Sequence, residues 1–377
     1  MSRAWTYQDH RQKKKLGDKA PWSVGWYDPD GKKRSKRIGS KSMAEKHRRK
    51  LEGQLAAGIY QADSRKRWDD FRREYEERIA AGMASQTRRV TLDALKHFER
   101  IVKPKRVQAI KTQVIDEFVA RRRVEPGRRE GDTISPATVN KELRHLRAVL
   151  QIAHDWGYLP MMPKVRMLKE PKKLPTYVTP EHFAAIYKAC KVATRPKGFH
   201  FSPETWWQAF ITYQYMTGWR VSEPVALRWD DVSLDAGTAI TRHEDNKGCR
   251  DERVPLHPVV VEHLRQIVDF GPTVFPWPHH ERTLWADFAK IQEEAGIHLP
   301  CHENHEHTPA CHLYGFHDLR RAFATMNAER LTGDALQSLM RHKSYQTTQR
   351  YINMARQLDQ SVEALHVPEV LRTSKSA

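Results

Sequence analysis

The chain has 377 residues and carries 65 Lys and Arg against 46 Asp and Glu, a formal net charge of +19. That length supports two or three domains with buried cores, and that charge draws the chain towards polyanions, double-stranded nucleic acid first among them. No stretch approaches 18 apolar residues, which excludes a membrane-spanning helix. Met1 to Lys15 is basic but has no apolar run to make a secretory signal. Cys190, Cys249, Cys301 and Cys311 show no disulfide-framework spacing, so a reducing, cytoplasmic setting is expected.

In chain order, residues 1–62 read as a small module. Trp22 to Tyr27 is an aromatic strand, Asp28 to Gly31 a turn, and Lys32 to Ile38 a basic strand. A helix capped by Ser42 then runs through Leu51 and Leu55 to a stop at Gly58. Lys33, Arg34, Lys36 and Arg37 could lie in a DNA groove, as charged β-ribbons do, or be an ordinary solvated face. Residues 63–160 read as all-helical. Trp68, Phe71, Tyr75 and Ile79 recur at helical spacing, as do Leu92, Leu95 and Phe98. Ser135 and Pro136 open a helix with an apolar stripe from Val139 to Ile152 that stops at Trp156 and Gly157. Its other face offers Lys141, Arg144 and Arg147 to phosphates, or to water. Residues 161–176, rich in proline and lysine, read as an interdomain linker. The final domain, 177–377, starts with a helix at Thr179, has a short β region near Ala239 to Leu256, and is otherwise helical. The fold class is therefore mainly α with a small β-sheet.

Four segments of this domain carry the chemistry. Thr217 to Val232 places Arg220 at a turn before a helix. Asn246 to Leu256 is a hairpin with Lys247 near its tip. His317 and Arg320, three apart, share one face of a helix. Arg341 to Tyr351 brings His342 nine positions before Tyr351. Each is weak alone, since a lone Arg is usually a surface group and a lone Tyr usually packing.

In this order the segments resemble the signature of the tyrosine recombinase (phage integrase) family: T-G-x-R-x-S-E, a hairpin lysine, H-x-L-R, and H-x(8)-Y. The resemblance is strong over about residues 179–360. It extends in general character to the helical domain, read as core-binding, and more weakly to the N-terminal module, similar to the arm-site-binding piece of integrases. It implies an α+β catalytic domain in which Arg220, Lys247, His317, Arg320, His342 and Tyr351 cut and rejoin DNA through a 3′-phosphotyrosine. Two guanidiniums suit the charge that builds on the phosphate oxygens. A phenol, with an ordinary pKa near ~10, needs a base. The resemblance gives His317 that role and His342 a hydrogen bond to the scissile phosphate. Lys247 is the candidate donor to the departing 5′ oxygen. Glu223, three positions after Arg220, either holds that guanidinium or caps a helix. No ATP or catalytic metal is needed, because the phosphotyrosine conserves the bond energy. The family implies a homotetramer on paired DNA sites. A type IB topoisomerase, or a catalytically silent DNA-binding protein of the same fold, is the alternative.

Two positions depart from the family pattern. Pro224 follows Glu223 where an aliphatic residue is common, which a first helical turn tolerates. Arg341 precedes His342 where glycine is usual, which puts the local turn in question. Just before the His317 helix, residues 301–312 hold two Cys and four His. Cys301, His305 or His307, Cys311 and His312 are candidate ligands for a structural zinc, although the spacing matches no standard finger. Val362 to Val370 reads as a short apolar helix that docks either on a neighbouring protomer or on its own domain.

Overall fold

The structure is a computed structural model. It describes residues 4–29, 31–58, 60, 65–127, 131–171, 176–246, 248, 250–301 and 311–356, with side chains to 352. The chain divides into two compact units, Met1–Pro171 and Lys172–Ala377.

The first unit begins with a three-stranded antiparallel sheet, not the two-stranded hairpin expected. β1 (Ala4–Gln8) pairs with β2 (Trp22–Tyr27), which pairs with β3 (Lys33–Gly39). β1 escapes notice in the sequence because it is five residues long and followed at once by a basic helix, α1 (His10–Leu16). Trp5 faces Gly25 across the sheet so closely that a Cβ on Gly25 would lie 2.7 Å from the indole. α2 (Lys41–Ala56) covers the other face, and its N-cap is Ser40 rather than Ser42, the Ser40 hydroxyl accepting from the Met43 N–H at 3.4 Å. Val24, Trp26, Ala44, Leu51 and Leu55 form this small core.

The same unit then builds four main helices, α3 (Trp68–Arg78), α4 (Ser85–Val102), α5 (Thr112–Arg123) and α6 (Pro136–Asp155). They enclose Trp68, Phe71, Phe98, Phe118, Leu143, Leu146 and Leu150. Ser135 caps α6 as its sequence predicts, accepting from the Thr138 N–H at 3.3 Å. A buried pair braces the bundle: Arg122 meets both oxygens of Glu142, with Nη2 at 2.7 Å and Nε at 2.9 Å. The first part of the expected linker is not free chain. Asn140 holds Leu168 from both sides, donating to its carbonyl at 2.9 Å and accepting its N–H at 2.8 Å, while Arg166 pairs with Asp116. Proline prevents this stretch from forming helix, and the bundle supplies its backbone partners instead.

The second unit has α7 (Pro180–Ala189), capped by Thr179, then α8 (Pro203–Thr217) and the short α9 (Ser222–Ala226). α8 has no exposed residue, and its buried positions include Thr212, Gln214 and Thr217 as well as its large rings. Trp206, Trp207, Phe210 and Tyr213 are buried on it among Trp219, Phe275, Phe288 and Phe316. Burial of each such ring contributes roughly 2–3 kcal/mol. A second antiparallel sheet comprises β4 (Val232–Ser233), which precedes the expected β region, and β5 (Thr238–Thr241) and β6 (Glu252–Pro255), which fall in it. α10 (Pro258–Arg265), α11 (Glu281–Glu294), α12 (Phe316–Asn327), α13 (Gly333–Met340) and α14 (Tyr345–Arg356) complete it. The last three share a separate small core of Phe323, Ala324, Leu336, Met340 and Ile352. That packing fixes α12, α13 and α14 against one another, and three of the predicted site residues ride on α12 and α14. No helix among the described residues is long and apolar enough to cross a membrane.

Candidate active site

Arg220 sits in the turn between α8 and α9, where the sequence places it. α8 ends at Gly218, which takes the left-handed conformation at φ +64°. A Cβ there would meet Phe323 Cδ1 at 2.6 Å and Met340 Sδ at 3.0 Å, so glycine is required twice over, by backbone and by packing. The Gly218 carbonyl in turn accepts from Arg320 Nη1. Glu223 does hold Arg220: its Oε2 accepts the Arg220 backbone N–H at 2.8 Å and its Oε1 accepts from Nη1 at 3.1 Å. Pro224 lies in the first turn of α9, as expected, and is buried.

Arg320 is 2 % exposed. Its second guanidinium nitrogen, Nη2, donates to the Met340 carbonyl at 2.5 Å, so the guanidinium bridges the end of α8 and the end of α13. Burial lowers its pKa to about 10, and the neighbouring positive charge of Arg220 acts in the same direction. It stays a cation at neutral pH. His317, one turn earlier on α12, stands on the open side of the helix. The packed protein beneath its ring lowers its pKa, and the charges of Arg321, Arg320 and Arg220 lower it further.

His342 follows α13. Its ring Nδ1 lies 2.9 Å from the hydroxyl of the fully buried Thr348. The ring of Tyr351 lies parallel to it, with centroids 5.9 Å apart and an interplanar angle of 10°. Burial lowers the His342 pKa from 6.5 to about 4, helped by Arg320, Arg220 and His317. The native state therefore keeps His342 neutral. As pH falls from 6.5 towards 4 the unfolded chain takes up a proton that the fold refuses, so stability is lost across that window, by up to roughly 3 kcal/mol. His342→Gln should flatten that part of the curve of stability against pH in denaturant titrations. An unchanged slope would contradict a buried neutral imidazole.

The structure thus brings Arg220, Arg320, His317, His342 and Tyr351 into one electrostatic neighbourhood. Lys247 lies outside the described residues. Beside it, Asn246 Nδ2 donates to the Arg242 and Arg250 carbonyls at 2.6 Å each, which closes the β5–β6 loop across its base. Thr348, Asn246 and the dual role of Gly218 depend on partners that no local motif marks. Only the glycine left a trace, as the residue two positions before the arginine.

The turn before His342 has the left-handed residue that glycine ordinarily supplies at a helix end. Arg341 itself adopts φ +53°, ψ +47°, and the His342 N–H reaches back to the Gln337 carbonyl at 3.1 Å.

The proposed zinc ligands gain no support. His305 and His307 lie outside the described residues. His312 has its Nδ1 2.8 Å from the Leu299 carbonyl and stacks on His298. Among the described residues no group of three potential ligands is present, at Cys301 and Cys311 or elsewhere.

The basic residues of the first unit separate by face. On β3, Lys33 and Arg37 alternate onto the sheet face away from α2. Trp5 and Tyr27 share that face, Lys33 Nζ lying 5.6 Å from the Trp5 ring centroid. Arg34 is instead tied to Asp28 at 3.0 Å, and Lys36 is exposed on the helix side. Lys141, Arg144 and Arg147 are all exposed on α6.

Residues 176–357 match the model of the phage integrase family. A putative integrase/recombinase y4eF of Sinorhizobium fredii is 26 % identical over 233 residues, covering 59 % of this chain and 81 % of that protein. The tyrosine recombinase XerD of Listeria innocua is 26 % identical over 248 residues, 61 % of this chain and 75 % of XerD. Among solved structures, a lambda integrase tetramer bound to a Holliday junction is similar with a TM-score of 0.58 at 17 % identity, over 94 % of this chain and 97 % of that one. The fold, the order of the site residues and the matched domain agree, and residues 176–357 form a domain of the phage integrase family, similar to tyrosine recombinases.

Proposed function

We propose that this chain cuts and rejoins double-stranded DNA at specific sites through a 3′-phosphotyrosine at Tyr351, with no ATP and no catalytic metal. The observation that carries the reading is the gathering of two guanidiniums, two imidazoles and one phenol around the end of α8 and the start of α12. Tyr351 Oη attacks the phosphorus, the bond to the 5′ oxygen breaks, and the phosphate becomes an ester of the tyrosine. His317 accepts the phenolic proton; its lowered pKa keeps it free to do so at neutral pH. Arg220 and Arg320 stabilise the charge that develops on the non-bridging oxygens. With the Thr348 hydroxyl donating to Nδ1, His342 carries its proton on Nε2 and offers it to a phosphate oxygen. Lys247 protonates the departing 5′ oxygen. The reverse attack by a 5′-hydroxyl reseals the strand.

DNA contacts outside the site fall to Lys141, Arg144 and Arg147 on the helical bundle. In the N-terminal module they fall to Lys33 and Arg37, with the exposed edge supplied by Lys36 and, less freely, Arg34. The domains would then be an arm-type module over 1–62, a core-binding bundle over 63–160, and a catalytic domain over 177–377. The similar lambda integrase is a tetramer on a Holliday junction, and a homotetramer on paired sites in the cytoplasm fits strand exchange between two duplexes.

A duplex carrying the ends of the genetic element, nicked near the crossover so that the cleaved 5′ fragment diffuses away, tests the reading. The protein is expected to accumulate as a covalent, protease-sensitive DNA adduct without added ATP or divalent metal. DNA binding with no adduct would leave only the silent DNA-binding reading.

A further inference from the structure

Glu223 is the most buried carboxylate near the site, its side chain 1 % exposed, and it has a second cationic partner besides Arg220. Arg341 Nη2 donates to its Oε2 at 2.5 Å, and the Arg341 guanidinium lies over the Trp219 ring with 4.5 Å to the centroid. The Arg341 side chain is 5 % exposed, and its Nε and Nη1 have no hydrogen-bond partner among the described residues. Its backbone is left-handed, and only one other described non-glycine residue, Lys103, has a positive φ. A strained backbone and a buried, half-satisfied guanidinium are both unfavourable. Two such features on one residue, ion-paired to the carboxylate that holds Arg220, call for a compensating role.

We propose that Arg341 is a positioning residue for Arg220, acting through Glu223. Oε1 of the carboxylate holds the Arg220 guanidinium and Oε2 holds its backbone N–H. Arg341, from the far side, fixes Oε2 and offsets the carboxylate's charge. Arg220 is then oriented without being neutralised, and its positive charge remains for the phosphate. Without Arg341, Glu223 draws the Arg220 guanidinium inward as its sole counter-ion. This inference rests on the reading of Arg220 as a phosphate clamp.

Arg341→Gly separates this role from a structural one, because glycine is at ease at φ +53°. The variant is expected to fold and to bind DNA equally well, the relieved backbone offsetting part of the stability lost with the buried Glu223 pair. Its single-turnover cleavage of the nicked duplex should be about 10- to 100-fold slower, the scale of a misaligned catalytic group. Adding Glu223→Gln to that variant removes the uncompensated charge and should recover part of the rate, and Arg341→Lys should cleave faster than Arg341→Gly. Cleavage by Arg341→Gly at the native rate would overturn the proposal, as would a double variant slower than the single one. Should the glycine variant not fold, Arg341→Lys and Arg341→Gln take its place, and equal rates for those two would overturn it. Native chain that forms the adduct, alongside Arg220→Ala that does not, keeps the underlying reading intact whichever way Arg341 falls.

Discussion

Tyr351→Phe is expected to bind DNA as tightly as the native chain and to form no covalent adduct with it. The substitution removes one oxygen and leaves the ring, and the ring is the part that packs: it lies parallel to His342 and against the small core of α12, α13 and α14. Folding and DNA contact should therefore survive. The chemistry should not, because the reaction has no step without a nucleophile to carry the phosphate. An electrophoretic shift assay and a denaturing gel on the same nicked duplex read the two quantities side by side. Residual adduct at more than a trace would mean that another group attacks the phosphorus.

The second large effect belongs to Arg320, and it differs in kind from that of Arg220. Arg320 is buried, and its guanidinium satisfies the carbonyls of Gly218 and Met340. Arg320→Ala leaves both carbonyls without that partner, at a cost of about 1–3 kcal/mol each. It also removes a donor from the developing phosphate charge, worth about 10²–10³-fold in rate. The expected result is a variant that melts at lower temperature and, at temperatures where it stays folded, cleaves at least ~100-fold more slowly. Arg220→Ala should lose a similar factor in rate with a smaller loss of stability, since Arg220 is partly exposed and braces no carbonyl in the same way. Thermal melts paired with single-turnover cleavage separate the two arginines. Equal melting temperatures for both variants would contradict the bridging role of Arg320.

Much of this was legible in the sequence because local chemistry and long-range chemistry coincided. Ser135 with Pro136, and Thr179 with Pro180, announce helices through caps that depend only on neighbouring residues. The catalytic set is legible because each member lies in a short motif with fixed spacing, and the order of motifs survives folding. What was hidden depends on distant partners. β1 is a strand because Trp5 finds Gly25 twenty residues later. Thr348 matters because the end of α13 delivers His342 to it. Arg341 reads as a lost glycine until Glu223, 118 residues earlier, is seen to receive its guanidinium. The cysteine and histidine run from 301 to 312 gains no support among the described residues, and ligand-rich composition alone fixes no coordination geometry.

The same logic separates Tyr351 from its nearest rival on α14. Tyr345 is 45 % exposed on the first turn of that helix and also carries a hydroxyl. Among the described residues Tyr345 makes no ring contact with His342, whereas Tyr351 lies parallel to that ring. Trypsin divides the two tyrosines, since cleavage after Lys343, Arg350 and Arg356 puts Tyr345 in one peptide and Tyr351 in the next. Mass spectrometry of the nuclease-trimmed adduct then names the nucleophile. A nucleotide remnant on the peptide Tyr351–Arg356 is the predicted result; a remnant on the peptide containing Tyr345, or on any other residue, would contradict the account at its centre.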